Sequence, residues 1–308
     1  MKQIAVAAGV IHNPKGEILI AKRAADQHQG GLWEFPGGKI EPGETAQTAL
    51  SRELHEELAI DVTSAEPLIR IHHNYTDKSV LLDVWRVTAF DGEAKGVEGQ
   101  PLKWVRPDEL SNYEFPAANR PILAAAQLPS AIGVLDDICN IEALERKTQM
   151  AVQQGVAWLM VRAPRNSEAE LRRAIAHVEP LLGASKLILN TSIPLANKVG
   201  ADALFLTAAH LLGMHERAEF NGRWLGAACH DAGELQLAID KQLEFASLSP
   251  VMPSRGASKN TLGWETFHDL VETSTIPVYA RGGLNLHHIE RAKAEGAQGV
   301  MQTLRIDG

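Results

Sequence analysis

The second half of the chain alternates short apolar runs with segments of helical character, and this alternation constrains the fold more than any other feature. Each run is about the length of one buried strand. From residue 131 onward the runs are AIGVLDD, AWLMVRAP, KLILNTS, ALFLTAA, WLGAACHD, EFASLSPV, IPVYARGG and QGVMQTL. Such alternation predicts either a closed (β/α)8 barrel or an open doubly wound sheet. We favour the barrel, because the turn ARGGLN after the seventh run is typical of the phosphate-binding turn near the last strands of barrels.

The length of 308 residues predicts about two domains. The helical segment PAANRPILAAAQ ends close to a Pro-Ser pair, which divides the chain into residues 1–128 and a barrel over 131–308. Only RIDG follows the eighth strand-like run, so we expect a barrel without its last helix. The missing helix would leave one flank of the barrel uncovered. We therefore expect that flank to pack tightly against the first domain or against a second copy of the chain in a homo-oligomer.

Residues 1–128 contain both strand and helix patterns, which predict an α/β domain built on a mixed sheet. The strand candidates are QIAVAAGVI, EILIAKR, SVLLDVWRVTAF and the start of LKWVRPDEL. The helix candidates are PAANRPILAAAQ and the segment that follows EPGE.

This last segment concentrates carboxylates behind a glycine-rich turn, in GGKIEPGETAQTALSRELHEELAI. On a helix Glu53 lies beside both Glu56 and Glu57, and like charges so placed repel by about 0.2–0.5 kcal/mol per pair. Ala46, Leu50, Leu54 and Leu58 form a separate apolar stripe. Acidic faces are usually just solvated, and Arg52 can pair with Glu56. The turn and the separate stripe favour a bound cation instead.

The donor types limit which cation this is. Carboxylates together with a backbone carbonyl form an all-oxygen environment that suits Mg²⁺, with Mn²⁺ as the alternative, and does not suit Zn²⁺. Cys139 and Cys229 lie far apart without a ligand pattern, so we predict neither a zinc site nor a disulfide and interpret both as core thiols.

The net charge of −8 and the hydropathy exclude other classes of protein. Acids outnumber bases in both halves, so neither half has the basic field of a direct nucleic-acid binder. No apolar run approaches 18 residues, and the first residues are typical of strand, turn and strand rather than of a signal peptide. We therefore expect a cytoplasmic protein with a small nucleotide substrate and no membrane contact.

The segment from Gly38 through Glu44 to RELHEELAI resembles the Nudix box of nucleoside-diphosphate-linked hydrolases. It departs once, with Ala59 where that family has glycine, and we expect a slightly different turn there. With AKRAADQHQGGLWEFPGGKIEPGE, EGQPLKWV and FPAANRPI, the resemblance narrows to the MutT-type 8-oxo-dGTP diphosphatases. It implies an α/β/α sandwich with a mixed sheet. It also implies Mg²⁺-dependent hydrolysis of 8-oxo-dGTP to 8-oxo-dGMP and pyrophosphate, which prevents mutations during DNA replication.

The same resemblance implies the residues of this site. The metal ligands are the Gly37 carbonyl, Glu53, Glu56, Glu57 and Glu98. Catalysis involves these glutamates with Arg52 and Glu44, and either Glu53 or Glu98 is the general base. The substrate contacts are Arg23, His28, Glu34, Phe35, Pro36, Gly37 and Asn119, with Asn119 reading the base. Gln27 and Tyr75 replace the phenylalanines usual in that group and predict a looser base pocket.

The barrel segment resembles thiamine-phosphate synthase and the TenI-type thiazole tautomerase. The candidate ligand residues that it implies are Arg162, Asn190, His230, Lys259, Gly282 and Gly283. The synthase has Mg²⁺-binding acids where this chain has Thr191 and His210, which argues against synthase activity. His230 matches the catalytic histidine of the tautomerase branch.

Three hypotheses follow. The first is an oxidised-nucleotide hydrolase with a barrel of undefined role. The second is a thiamine-pathway enzyme whose Nudix half hydrolyses pyrophosphorylated intermediates. In the third, the barrel is a non-catalytic phosphate-ligand sensor or interaction module.

Overall fold

The computed structural model describes residues 3–24, 29–74, 79–136, 138–253 and 260–305. The chain forms two compact units, Met1–Leu128 and Pro129–Gly308.

The first unit contains two sheets. Its elements are β1 (Gln3–Ile11), β2 (Ile18–Lys22), β3 (Trp33–Glu34), β4 (Gly37–Lys39), α1 (Ala46–Leu58), β5 (Asp61–Asn74), β6 (Ser79–Asp91), β7 (Leu102–Val105) and α2 (Arg120–Gln127), with 3-10 helices at Pro107–Asn112 and Ala117–Asn119. One sheet has the order β4-β1-β6-β5 and the other β3-β2-β7. Only the pair β1–β6 is parallel, so the sheet is mixed, as predicted.

Strand β5 is the longest element that the sequence pattern did not indicate, and the short strands β3 and β4 were missed as well. The sequence of β5 contains Pro67 and several polar residues, and its pairing with β6 shifts register at three places. Each irregularity interrupts the two-residue alternation by which a strand is identified in a sequence.

The two helices cover opposite sides of the sheet layer. Helix α1 buries Leu50, Leu54 and Leu58 in one apolar cluster, whereas Ile122 of α2 belongs to another. The predicted stripe is confirmed except at its first position, where Ala49 is buried and Ala46 is only partly so. This arrangement is the α/β/α sandwich that the sequence predicted.

Helix α1 ends in a left-handed turn at Ala59, where φ is 54°. The Ala59 amide donates to the His55 carbonyl at 3.0 Å, the usual bond of such a cap. The expectation of a different turn was therefore wrong, because alanine adopts the conformation that glycine takes more easily. For a residue with a Cβ, this conformation costs roughly 1–2 kcal/mol.

The second unit is a closed barrel of eight parallel strands, in the order β10-β11-β12-β13-β14-β15-β8-β9. Its elements are β8 (Ala131–Leu135), α3 (Ile141–Gln153), β9 (Trp158–Arg162), α4 (Glu168–Val178), β10 (Lys186–Asn190), α5 (Ile193–Val199), β11 (Ala203–Leu206), α6 (Ala208–Gly213), β12 (Trp224–Cys229), α7 (Ala232–Asp240), β13 (Phe245–Leu248), α8 (Gly263–Glu272), β14 (Val278–Arg281), α9 (Ile289–Ala294) and β15 (Gly299–Thr303), with 3-10 helices at Glu179–Leu181, Arg217–Glu219 and Leu286–His288. All eight predicted strands are present, and closure excludes the doubly wound sheet.

Aromatic side chains fill the barrel. Phe205 and Phe245 stack with ring centroids 5.7 Å apart, and Tyr279 meets Phe245 edge to face at 6.0 Å. Gly226 makes room for them, because a Cβ there would lie 2.5 Å from the Phe245 ring. The interior is therefore packed, and space for a ligand is left at the rim where the strands end. After β15, residues 304 and 305 form no helix, and they are the last that the structure describes.

Two smaller predictions have different outcomes. Cys229 is buried, but Cys139 is exposed, so the interpretation of both as core thiols was wrong for Cys139. Within the described ranges, no helix has the length and apolar character needed to cross a membrane.

Candidate functional site

Two glycines bring the helix carboxylates against the turn that precedes helix α1. Gly37 has a φ of 143°, and a Cβ on it would lie 2.1 Å from the Ala7 carbonyl oxygen. A Cβ on Gly38 would lie 2.2 Å from the carboxyl carbon of Glu53. The Gly37 amide also donates to Glu57 Oε2 at 3.2 Å. The glycine pair thus lets Glu53 and Glu57 reach the backbone of the turn.

Arg52 organises the outer side of this carboxylate group. Its Nε and one terminal nitrogen donate to the two oxygens of Glu44 at 2.9 and 3.0 Å. The other terminal nitrogen donates to Glu53 at 2.8 Å and to Glu56 at 3.3 Å. The two bonds to Glu44 lower the pKa of that carboxyl to about 2. Arg52 therefore holds the carboxylates of Glu44 and Glu53 in position.

Glu57 is the carboxyl of the group whose pKa is raised to about 7. Burial is the main cause that raises its pKa to about 7, and the negative charges of Glu53, Glu34 and Glu98 raise it further. The Gly37 amide opposes this rise by its hydrogen bond. Four acids thus share one partly buried neighbourhood, where their repulsion would be relieved by a divalent cation with a preference for oxygen ligands.

The loop that carries Glu98 is attached to the end of helix α1. The Val97 amide donates to the Glu57 carbonyl at 3.0 Å, and Gln100 Nε2 donates to the same carbonyl at 3.0 Å. Gln100 Oε1 in turn accepts from the Glu98 amide at 2.9 Å. Glu98 is therefore held beside the acidic helix although 40 residues separate them in sequence, and Gln100 is a positioning residue that the sequence did not reveal.

The structure brings some of the predicted metal ligands together and leaves Glu56 at the surface. Glu53, Glu57 and Glu98 interact electrostatically, whereas Glu56 is 59% exposed and contacts Arg52. Across the described residues, no three carboxylate, imidazole or thiol groups form a ready-made metal cluster. The candidate metal ligands are nevertheless all oxygen atoms, because they are the glutamate carboxylates and the backbone carbonyls of the turn at Gly37. They fit Mg²⁺ or Mn²⁺ and offer no nitrogen or sulfur ligand for Zn²⁺.

The predicted substrate residues before helix α1 lie on or beside strands: Glu34 is in β3, Gly37 begins β4, Arg23 follows β2, and Phe35 and Pro36 connect β3 to β4. Arg23 pairs with Glu34, and the pKa of Glu34 is raised by burial despite that pair. Pro36 accepts from the Gly9 amide at 2.8 Å, which ties the turn to β1. Phe35 is only 4% exposed and stacks on Phe115 at 5.4 Å, so it offers a ligand little more than an edge.

Asn119 lies where the Ala117–Asn119 turn enters α2. It occupies the N-cap position but makes no side-chain capping bond, which leaves its amide available for a ligand. His28, Gln27 and Tyr75 lie outside the described residues.

The second unit has a cavity of about 760 Å³ at the carboxyl ends of its strands. Five of the six predicted barrel residues line it: Arg162, Asn190, His230, Gly282 and Gly283. Lys259 lies outside the described residues. These residues, which are scattered in the sequence, meet at one rim, and the location is the usual ligand-binding face of barrels.

Several of these residues also have structural partners. Asn190 donates through Nδ2 to the Phe205 carbonyl at 2.6 Å, and His230 Nδ1 lies 2.8 Å from Glu234 Oε2. A Cβ on Gly283 would lie 2.6 Å from the Pro253 carbonyl, so close packing by itself requires glycine there. The glycine pair is therefore weaker evidence for phosphate than the sequence implied.

The cavity also contains a residue that the sequence did not indicate. Arg281, the last residue of β14, lines the cavity together with Arg162. The signal was present, since an arginine after VYA interrupts an apolar strand. At the positions where the synthase has acids, Thr191 is buried and His210 lies in α6.

Comparisons with known proteins match each unit to a different family. The family model for the NUDIX domain matches residues 7–125, and that for thiamine monophosphate synthase matches residues 132–306. An 8-oxo-dGTP diphosphatase of Escherichia coli K12 is 41% identical over 124 residues, which are 40% of this chain and 96% of that protein. A CTP pyrophosphohydrolase of the same organism is 41% identical over 125 residues, which are 41% and 92% of the two chains.

A solved structure titled as a thiamine phosphate pyrophosphorylase from Pyrococcus furiosus shares 16% identity, covering 61% of this chain and 88% of that one with a TM-score of 0.44. Nudix hydrolases are generally dependent on divalent metal ions, and the first unit is homologous to the 8-oxo-dGTP diphosphatases. The chain therefore belongs to the Nudix hydrolase family through residues 7–125 and to the thiamine monophosphate synthase family through residues 132–306.

Proposed function

We propose that the first unit is a Mg²⁺-dependent diphosphatase that hydrolyses 8-oxo-dGTP to 8-oxo-dGMP and pyrophosphate, and so cleanses the cytoplasmic nucleotide pool before DNA replication. The observation that carries the proposal is the carboxylate neighbourhood of Glu57, crowded by Glu34, Glu53 and Glu98. A triphosphate is itself strongly negative, so an acidic site can hold it only through bridging cations.

Glu53, Glu57 and Glu98 would hold the metal, with the carbonyl of Gly37 as a further ligand and Glu56 at the exposed side. When bound, Mg²⁺ would polarise the phosphate chain and lower the pKa of an attacking water. Water attacks the β-phosphorus, and the bond from that phosphorus to the oxygen shared with the α-phosphorus breaks. The nucleoside monophosphate leaves with that oxygen, and pyrophosphate keeps the oxygen of the water. Glu53 or Glu98 takes the proton of the water, and Arg52 keeps the carboxylate of Glu53 in place through its 2.8 Å bond.

The relatives leave two substrates to compare, because the 8-oxo-dGTP diphosphatase and the CTP pyrophosphohydrolase are each 41% identical to this chain. Asn119 supports the purine. Its amide offers one donor and one acceptor, which can pair with a purine edge that also carries both, and no capping bond occupies it.

The test is a substrate panel with the full chain, Mg²⁺ and the Glu53→Gln variant as the inactive control. The panel contains 8-oxo-dGTP, dGTP, CTP and thiamine diphosphate. We expect the highest kcat/KM for 8-oxo-dGTP, with pyrophosphate as a product. A preference for CTP would overturn the substrate assignment, and a preference for thiamine diphosphate would favour the thiamine-pathway alternative.

Asn119→Ala tests the base contact within the same panel. Loss of a paired base contact costs about 1–3 kcal/mol of discrimination, so preference for 8-oxo-dGTP over dGTP should fall by roughly 5- to 150-fold. Asn112→Ala, at the end of the neighbouring 3-10 helix, is the matched control. If both substrates slow equally, the base is read elsewhere.

A synthase reaction in the barrel is not part of this proposal. Among the described residues lining the cavity there is no carboxylate that could hold a metal for a pyrophosphate.

A further inference from the structure

The candidate base-contacting residue Asn119 follows a stretch of chain without regular secondary structure. Residues 113–116 connect the 3-10 helix Pro107–Asn112 to the turn Ala117–Asn119 and belong to no helix or strand. The backbone groups of such a segment are not paired in a regular ladder, so contacts with neighbouring elements fix where it lies. The Asn119 amide donates to the Pro116 carbonyl at 2.9 Å. The position of Asn119 therefore depends directly on this segment.

Strand β3 supplies contacts that hold the segment. The Trp33 amide donates to the Glu114 carbonyl at 2.8 Å. Two pairs of aromatic rings meet on either side of that bond. Trp33 and Tyr113 meet edge to face with centroids 5.5 Å apart, and a second pair, Phe35 and Phe115, is stacked at 5.4 Å. Rings paired in these ways attract each other beyond the effect of their burial, and we call the four side chains the aromatic brace.

The same strand leads directly into the turn of the carboxylate site. Only Pro36 separates Phe35 of the brace from Gly37. This turn has its own attachment, because Gly37 pairs with Ala8 of β1 in the antiparallel part of the sheet. Loss of the brace would therefore release the segment before Asn119 and leave the turn at Gly37 in place.

Phe115 is the member of the brace nearest to Asn119 in the chain. Its partner Phe35 is buried in the core of the unit and so offers a fixed surface, whereas Phe115 is only partly buried against it. A leucine at position 115 would keep an apolar contact but lose the flat contact between two rings. The stack thus fixes the backbone at Phe115 more closely than apolar burial alone would.

We propose that Phe115 is a positioning residue for base discrimination, and that its stack on Phe35 holds the Asn119 amide at a fixed distance from the turn at Gly37. This role rests on the proposed function, in which Asn119 contacts the base. A displacement of about 1 Å is enough to impair a contact that needs exact geometry. The brace therefore governs which base is accepted and leaves the binding of the metal unaffected.

The experiment compares kcat/KM for 8-oxo-dGTP and dGTP in the full chain, with Mg²⁺ titrated for each variant. Phe115→Leu should lower the preference for 8-oxo-dGTP at least about 5-fold, the smallest loss expected for a missing base contact. The Mg²⁺ concentration for half-maximal activity should stay unchanged. Phe115→Tyr keeps the ring and should keep the preference. Phe90→Leu is the matched control, because it removes the stack of Phe90 on Trp104 in the other apolar cluster of the same unit, and it should also keep the preference.

A double-mutant cycle tests whether Phe115 acts through Asn119. If it does, Phe115→Leu combined with Asn119→Ala should discriminate no worse than Asn119→Ala alone. Independent losses that multiply in the double variant would overturn the proposal. A merely structural role would slow both substrates equally in Phe115→Leu, and that result would overturn it as well.

The proposed function would fail with a different pattern. If Asn119→Ala leaves the preference unchanged, the base is read elsewhere, and both the base contact and the positioning role are wrong. If Asn119→Ala loses the preference while Phe115→Leu keeps it, only the positioning role is wrong. Should Phe115→Leu not fold, Tyr113→Leu removes the other ring pair of the brace and is judged by the same outcomes.

Discussion

The two units surround their candidate sites with opposite charges. Around Glu57 the first unit crowds four carboxylates, whereas the barrel cavity has three arginines and no described carboxylate. An acidic site can hold phosphate only through a cation that it borrows from solution, while a basic site holds it directly. A cation held by the acidic site would assist bond cleavage, whereas a basic lining would attract a negative group by charge alone.

Removal of metal should separate the two units most completely. In excess EDTA, hydrolysis of 8-oxo-dGTP should fall to background, because the carboxylates then repel the triphosphate. The described lining of the barrel cavity has no carboxylate to bind a metal, so the unfolding temperature of the barrel should be unchanged in the same solution. Activity assays and calorimetric unfolding check this, and a parallel loss of activity and barrel stability would show that the two sites do not differ in the way described.

Glu53→Gln tests the acidic site alone. The variant should lose about 10²- to 10⁴-fold in kcat, the range for a residue that transfers a proton, and more if it also releases the metal. Its unfolding temperature without metal should be equal or higher, since one of several like charges is removed. Glu142→Gln, on an exposed face of α3, is the control. Full activity in Glu53→Gln would contradict the metal assignment.

Arg52→Lys asks how much the orienting cation contributes. Lysine keeps the charge but cannot make the paired bonds to Glu44 at 2.9 and 3.0 Å while also reaching Glu53. Groups that orient metal ligands typically contribute 10- to 100-fold, so we expect kcat to fall in that range and the Mg²⁺ requirement to rise. An unchanged Mg²⁺ titration would limit Arg52 to a structural role.

The smallest effect concerns two helices whose C-cap residue is left-handed. Helix α1 ends at Ala59 with a φ of 54°, whereas α5 of the barrel ends at Gly200 with a φ of 75°. Ala59→Gly should stabilise the first unit by about 1 kcal/mol, and Gly200→Ala should destabilise the second by about the same amount. Urea unfolding of each variant provides the measurement, and shifts of the same sign would contradict the backbone explanation.

Patterns within the sequence predicted the fold well where they were regular. The eight barrel strands are short, continuous apolar runs, and helix α1 has an apolar stripe with helical spacing. Both predictions are confirmed. Strand β5 has no regular pattern, because Pro67 and its register shifts break the alternation. Closure of the barrel is a property of all eight strands together, and no single run could indicate it.

The parts of the sites that could be predicted are those given by a local sequence pattern or by the family resemblance. The acidic face could be derived from helical spacing, but the attachment of the Glu98 loop depends on Gln100, whose partners are distant in sequence. Arg281 was missed because its significance lies in what surrounds it: burial, Arg162 across the rim and the lack of a carboxylate in the described lining. Whether a side chain is buried, and whether an opposite charge lies beside it, depends on the tertiary structure and is not visible in a local sequence pattern.

The attachment of the Glu98 loop has a consequence for the time scale of opening in the first unit. The amides of Lys95 and Val97 bond to carbonyls at the end of α1, and the Glu98 amide bonds to the Gln100 side chain. None of these bonds belongs to a sheet, so the loop can detach while helix and strands persist. In hydrogen exchange these three amides should therefore lose protection together, faster than the core, and a cation shared by Glu57 and Glu98 would slow all three by the same factor.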